Sequence, residues 1–165
     1  MSDIAGMTKQ EIPHRGRLAG IDFGTVRIGV AVTDPDRVLA SPLENYTRRG
    51  READAQYFRR LVAEERIMGF VVGLPVHTSG EESRISREAR EFGRWLQELT
   101  GLPIEFYDER YSSAQAEAFL LDAELTKKKR KRRLDMVAAQ LLLAAYLDAT
   151  RRGEPGPLDD GVTQG

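Results

Sequence analysis

Three acidic side chains, Asp22, Glu109 and Asp135, are the residues of this chain best placed to do chemistry together. Asp22 lies inside Leu18 to Thr33, a run that otherwise reads as two apolar strands with a glycine-containing turn between them. A carboxylate in a central strand has to be hydrogen-bonded, paired or metal-bound, because burying it alone costs several kcal/mol. Glu109 follows the last strand that the sequence suggests, and Asp135 stands near the start of the last helix. Carboxylates gathered in this way can hold two divalent ions about 4 Å apart, which stabilise the attacking and the leaving oxygen of an in-line phosphoryl displacement. Mg2+ or Mn2+ suits such a site, since magnesium keeps several waters and takes only one or two carboxylates per ion. The chain has no cysteine, so thiolate ligands, disulfides and cysteine nucleophiles are excluded and any metal ligands are oxygens.

The elements that must position these acids follow from the apolar pattern. Leu18 to Phe23, Arg27 to Thr33 and Val38 to Tyr46 read as an antiparallel meander, with turn residues at Thr25-Val26 and Asp34-Pro35-Asp36. Arg51 to Arg66 pairs Tyr57/Phe58 with Leu61/Val62 at helical spacing, and Met68 to Pro75 is a continuous apolar run ended by Gly and Pro. A second helix through Ile85, Ala89, Phe92, Leu96 and Leu99 leads to a strand from Pro103 to Tyr107. Ser112 with Gln115 matches a capping box opening a helix to Asp122, and Leu134 to Ala149 is an apolar helix with Leu134, Ala138, Leu141 and Ala145 on its buried face. The fold class is therefore α/β, a mixed five-stranded sheet with three antiparallel strands and then two parallel ones, flanked by helices.

At 165 residues one core is the working assumption. Residues 1–16 and 153–165 read as mobile tails around a single domain over 17–152. No apolar run approaches the ~20 residues of a membrane span and the N-terminus lacks a signal-peptide pattern, which points to a soluble cytoplasmic protein. The net charge of −1 conceals an uneven distribution. Lys127, Lys128, Lys129, Arg130, Lys131, Arg132 and Arg133 are consecutive, so the remaining 18 basic residues face 26 acidic ones. A positive run ending two residues before Asp135 sits where a phosphate backbone would approach the metals, and it reads as a nucleic-acid contact.

Ile21-Asp-Phe-Gly-Thr-Val-Arg-Ile-Gly-Val-Ala31, Val71-Val-Gly-Leu-Pro75, Tyr107-Asp-Glu-Arg-Tyr-Ser-Ser113 and Asp135-Met-Val-Ala-Ala139 resemble, in order and spacing, the blocks of the YqgF/RuvX family of bacterial nucleases related to Holliday-junction resolvases. The resemblance covers residues 18–150. It implies an RNase H-like fold, a metal-dependent nuclease site at Asp22, Glu109 and Asp135, and a role in maturing the 5′ end of pre-16S rRNA. Two departures stand out. Val76 to Glu82 does not match the loop that many members carry after Val-Gly-Leu-Pro, and the strand beside the first acid ends in Gly73-Leu-Pro75 with no carboxylate. The second acid must then come from one strand further out. Glu109 is the choice and Asp108 its rival, because consecutive residues at a strand end point to opposite sides.

Blander roles accompany each assignment. Asp22 could be satisfied by backbone donors or Arg27, Glu109 by Arg110, and Asp135 could simply complement its helix N-terminus. Arg110 could alternatively touch phosphate. His77 stays outside the catalytic set, Ser112 and Ser113 read as caps, and Trp95 as the edge of the core. Alternatives of other classes are a Holliday-junction-type DNA resolvase, a non-catalytic RNA- or ribosome-binding module, and a sugar kinase or actin-like ATPase. Asp22-Phe-Gly-Thr25 also resembles the phosphate loop of that last superfamily, whose two-domain cleft this chain has no room for. The partner is a nucleic acid, pre-rRNA or branched DNA, and the chain is a monomer or homodimer; a resolvase would need two active sites related by a two-fold axis.

Overall fold

The computed structural model describes residues 11–75, 83–108 and 127–151, the last with side chains from residue 136 onward. The elements are β1 (Arg17–Asp22), β2 (Arg27–Thr33), β3 (Ala40–Thr47), α1 (Arg51–Glu65), β4 (Ile67–Leu74), α2 (Arg84–Thr100), β5 (Ile104–Asp108) and α3 (Lys127–Arg151). They build one five-stranded sheet in the order β3-β2-β1-β4-β5, antiparallel from β3 to β1 and parallel from β1 to β5. The mixed sheet expected from the sequence is thus present, with β1 at its centre.

Period-2 alternation divides the strands between two unlike faces. Ala19 and Ile21 of β1, Ile28, Val30 and Val32 of β2, Phe70 and Val72 of β4 and Ile104 of β5 point to the α1 and α2 side. There Phe58, fully buried, is ringed by Tyr46, Tyr57, Phe92 and Trp95, with centroids 4.9 to 6.3 Å away. Edge-to-face geometry adds to the ~1.5–3 kcal/mol that burying such a ring contributes. Leu18, Ala31 and Val71 face the other way, onto Ala139, Leu143, Tyr146 and Leu147 of α3.

Small residues let α3 lie close on that second face. A Cβ built on Gly20 of β1 would stand 3.0 Å from the Leu143 Cβ and 3.1 Å from the Ala139 carbonyl oxygen. From this contact α3 reaches β3 through Gln140, whose amide donates to the Ala40 carbonyl at 3.1 Å, and β5 through Tyr146, whose ring lies 5.9 Å from Tyr107.

Three expectations need correction. β3 begins at Ala40 rather than Val38, because the Asp34 carboxylate accepts from the Val38 and Leu39 amides at 2.8 Å and holds 34–39 as a turn, with Arg37 at φ 59°. The last helix starts at Lys127, seven residues before Leu134, so the basic run is helical backbone; lysine and arginine are good helix formers and carry the helix outward once it has nucleated. The sheet-facing stripe is Ala139, Leu143, Tyr146 and Leu147, whereas Leu141 and Ala145 are only half-buried. Apolar residues on nearly every side of this helix left the choice of face to the gap at Gly20. The helix expected over 112–122, with Ser112 and Ser113, lies outside the described residues.

Candidate active site at the carboxyl edge of the sheet

Asp22 ends β1, at the edge where β3, β4 and β5 also end and where β2 begins. Its face follows from Gly20, two residues earlier, which meets α3; Asp22 therefore stands on the α3 side of the sheet, half-buried. Its lateral neighbours are glycines. Gly29 is its direct partner on β2, and Gly73 follows Val72, the β4 partner of Ile21. Neither neighbour presents a side chain of its own beside the carboxylate. Arg27 rises from the same face as Gly29 and Ala31, and Asn45 pairs with Gly29.

The turn after Asp22 is tight. A Cβ on Gly24 would come within 2.3 Å of the Arg27 carbonyl oxygen, so only glycine closes the chain here. A polar network fixes the same turn from outside. The Arg48 amide donates to the Val26 carbonyl at 2.9 Å, and the Arg48 guanidinium covers the rings of Phe23 and Phe92 at 5.5 and 5.7 Å. That guanidinium also meets the buried Asp54 carboxylate at 3.1 Å, which accepts from the Tyr46 hydroxyl at 2.6 Å and the Arg49 amide at 3.0 Å. Burial alone would raise the Asp54 carboxyl, but these donors and the Arg48 charge outweigh it and hold the group below the usual carboxylate range. Burial, aided by the bond to Asp54, pushes the Tyr46 phenol up to about 12. Sequence reasoning passed over this network, since an aspartate in a first helical turn already has an ordinary explanation in the helix dipole.

Asp108 ends β5, paired with Leu74, and is 3% exposed. It shares the face of Phe106, two residues earlier, which packs with Ile104 against Gly93 of α2, whereas Tyr107 faces Tyr146 of α3. Asp108 and Asp22 are consequently on opposite faces. Glu109, Arg110 and His77 lie outside the described residues. Asp135 and the run Lys127 to Arg133 lie in α3 with their side chains outside the description; Asp135 is one turn before Ala139. Trp95 sits half-buried against Phe58 and Phe92, at the edge of the core as expected. Among the described residues no three histidines or acids cluster as a metal site, and no helix is long and apolar enough to cross a membrane.

A sequence model of the RuvX family, described as Holliday junction resolvase, matches residues 16–149. The chain belongs to the RuvX family. Relatives include a Rhodopirellula baltica protein, 53% identical over 143 residues and covering 86% of this chain and 83% of its own. A Rhodobacter capsulatus protein is 44% identical over 137 residues, 83% of this chain and 86% of its own. Both are named as candidate pre-16S rRNA nucleases. Among solved structures, Thermus thermophilus RuvC in complex with a Holliday junction aligns with a TM-score of 0.58 at 16% identity, over 86% of this chain and 99% of that one. The fowlpox virus resolvase bound to junction DNA gives 0.53 at 9% identity, over 81% and 98%. At those identities the likeness is one of fold: a RuvX chain built on the RNase H-like, resolvase-type sheet.

Proposed function

We propose that this RuvX protein is a divalent-metal-dependent nuclease that hydrolyses phosphodiester bonds, working in the cytoplasm on the 5′ end of pre-16S rRNA, with residues 17–152 as the nuclease domain. The observation that carries the reading is the half-buried Asp22 carboxylate, set at the end of the central strand between two glycines. An all-oxygen donor set, in a chain without cysteine, fits Mg2+ or Mn2+. Asp22, Glu109 and Asp135 would hold the ions, which when bound supply Lewis-acid stabilisation of the attacking and leaving oxygens.

What supports Glu109 over Asp108 as the second ligand is the face: Asp108 is on the aromatic side, and continued strand alternation would put the following position on the side of Asp22. What supports Asp135 is its distance along α3. Gly20 touches α3 at Ala139; Asp22 lies two strand residues from that contact and Asp135 four helical residues, each about 6–7 Å. Asp22 then anchors the site on the central strand, the Gly24 turn and the Arg48 network hold the backbone that follows it, and Lys127 to Arg133 with Arg110 would meet the phosphates of the substrate.

The substrate assignment follows the named relatives, which are candidate pre-16S rRNA nucleases; the junction-resolving reading follows the solved neighbours. A panel of single-stranded RNA carrying a 16S 5′ leader, RNA duplex and four-way DNA junction, each with Mg2+, Mn2+ or chelator, tests both. Metal-dependent cutting of the leader RNA is expected. Paired cuts in the junction by a dimer, with the leader left intact, would establish the resolvase reading instead, and full cutting in chelator would remove the metal site.

A further inference from the structure

The turn from β3 into α1 carries Arg48, Gly50, Arg49 and Arg51 past the same edge as Asp22. Arg48 is engaged, through Asp54 and the rings of Phe23 and Phe92. Arg49 and Arg51 are exposed, and among the described residues neither has an acid within salt-bridge distance. Asp54, the acid that would otherwise neutralise them, is buried and occupied by Tyr46, Arg48 and the Arg49 amide. At the opposite edge of the sheet Arg15 pairs with Asp36, Arg17 with Glu65, and Arg37 donates to the Gly16 and Arg15 carbonyls, while Arg66 is exposed.

These two free cations are also held firmly. The Arg49 amide is anchored on Asp54, and the preceding Arg48 amide is tied to Val26 in the turn that follows Asp22. β3 lies two strands from β1, about 10 Å across the sheet, which is the rise of roughly three nucleotides along a duplex strand. α3, whose first seven residues are the basic run Lys127 to Arg133, reaches β3 through Gln140.

We propose that Arg49 and Arg51 form a second phosphate-contact surface, gripping the nucleic-acid backbone a few nucleotides from the scissile bond. This rests on the nuclease reading above and adds to it a substrate that runs along the carboxyl edge of the sheet, from Asp22 to the start of α1. Contacts of this kind fix the position of the strand without reading its sequence.

The test compares the full-length chain with Arg49→Gln/Arg51→Gln, and with Arg59→Gln/Arg60→Gln as a control that removes the same charge from an exposed stretch further along α1. Binding of fluorescein-labelled 20-nucleotide single-stranded RNA, and of DNA of the same sequence, is read by anisotropy from low to moderate salt in chelator, so that the probes stay whole. For Arg49→Gln/Arg51→Gln the log–log salt slope should flatten by about 1.4, two contacts at ~0.7 each on a single strand, with affinity roughly tenfold weaker on both probes. The control should keep the parental slope. Parental slope and affinity in Arg49→Gln/Arg51→Gln, or an equal loss in the control, would overturn the inference. A parental chain that binds neither probe would instead defeat the nuclease reading on which it rests.

Discussion

The two faces of the sheet are built from opposite materials. Against α1 and α2 the strands present Tyr46, Ile21, Phe70 and Phe106, and the helices answer with Tyr57, Phe58, Phe92 and Trp95. Against α3 they present Leu18, Gly20, Ala31 and Val71, and the helix answers with Ala139 and Leu143. Large rings fill the first face, and Asp108, at the end of β5 on that side, is 3% exposed. Small residues bring a helix close on the second face, and there Asp22 stands half-buried between glycines. Two aspartates at strand ends on one edge of the sheet thus differ in the face each occupies: Asp108 lies on the aromatic side and Asp22 on the α3 side.

The largest test of this contrast in stability is Phe58→Ala. Removing a fully buried ring that touches four others should cost about 3–5 kcal/mol, read from urea unfolding; a loss under ~1 kcal/mol would mean the aromatic face is not the frame. Gly20→Val probes the other face. Its side chain would meet Leu143 and the Ala139 backbone at 3.0–3.1 Å or less, so destabilisation of about 1–3 kcal/mol is expected from overpacking. Cleavage should fall beyond the loss of folded protein, because α3 moves relative to Asp22. Unchanged activity per folded molecule would separate α3 from the site.

The smallest effect concerns Asp54, whose folded-state carboxyl is held low. A depressed carboxyl contributes stability above its unfolded value of about 3.9, and that contribution disappears as pH falls through the folded value. Asp54→Asn should therefore be less stable than the parent at neutral pH, with the gap narrowing as pH drops below about 4. For Tyr46 the sign is reversed: raised to about 12, its contribution is complete below pH ~10 and is lost as pH climbs toward that value. A gap between Asp54→Asn and the parent that stays constant from pH 7 to 3 would contradict the role given to this network.

How far the sequence carried can be seen in particular residues. Asp22 was legible because an acid inside an apolar alternating run has few explanations, and β4 because Gly and Pro bounded it. Phe58, Leu61, Phe92 and Leu96 were legible from helical spacing. The face of α3 was not, since nearly every position from Met136 to Leu147 is apolar and only the missing Cβ of Gly20, distant in sequence, selects Ala139 and Leu143. The start of β3 was hidden by the Asp34 side chain, which turns an apolar Val38-Leu39 pair into a loop. The edge cations Arg49 and Arg51 gained meaning only from the topology that brings the end of β3 to the same edge of the sheet as the end of β1.

The most direct measurement of the central claim sets Asp22→Asn beside Asp108→Asn, each assayed for Mg2+-dependent RNA cleavage and for unfolding free energy. Asp22→Asn should lose cleavage by orders of magnitude while its stability stays within ~1 kcal/mol of the parent, as expected for an acid that serves a ligand rather than the frame. Asp108→Asn should cost about 1–3 kcal/mol of stability, the penalty for disturbing a buried, satisfied group, and keep cleavage per folded molecule within a few-fold of the parent. The reverse pattern, a stable but inactive Asp108→Asn and an active Asp22→Asn, would contradict the assignment of chemistry to the α3 face.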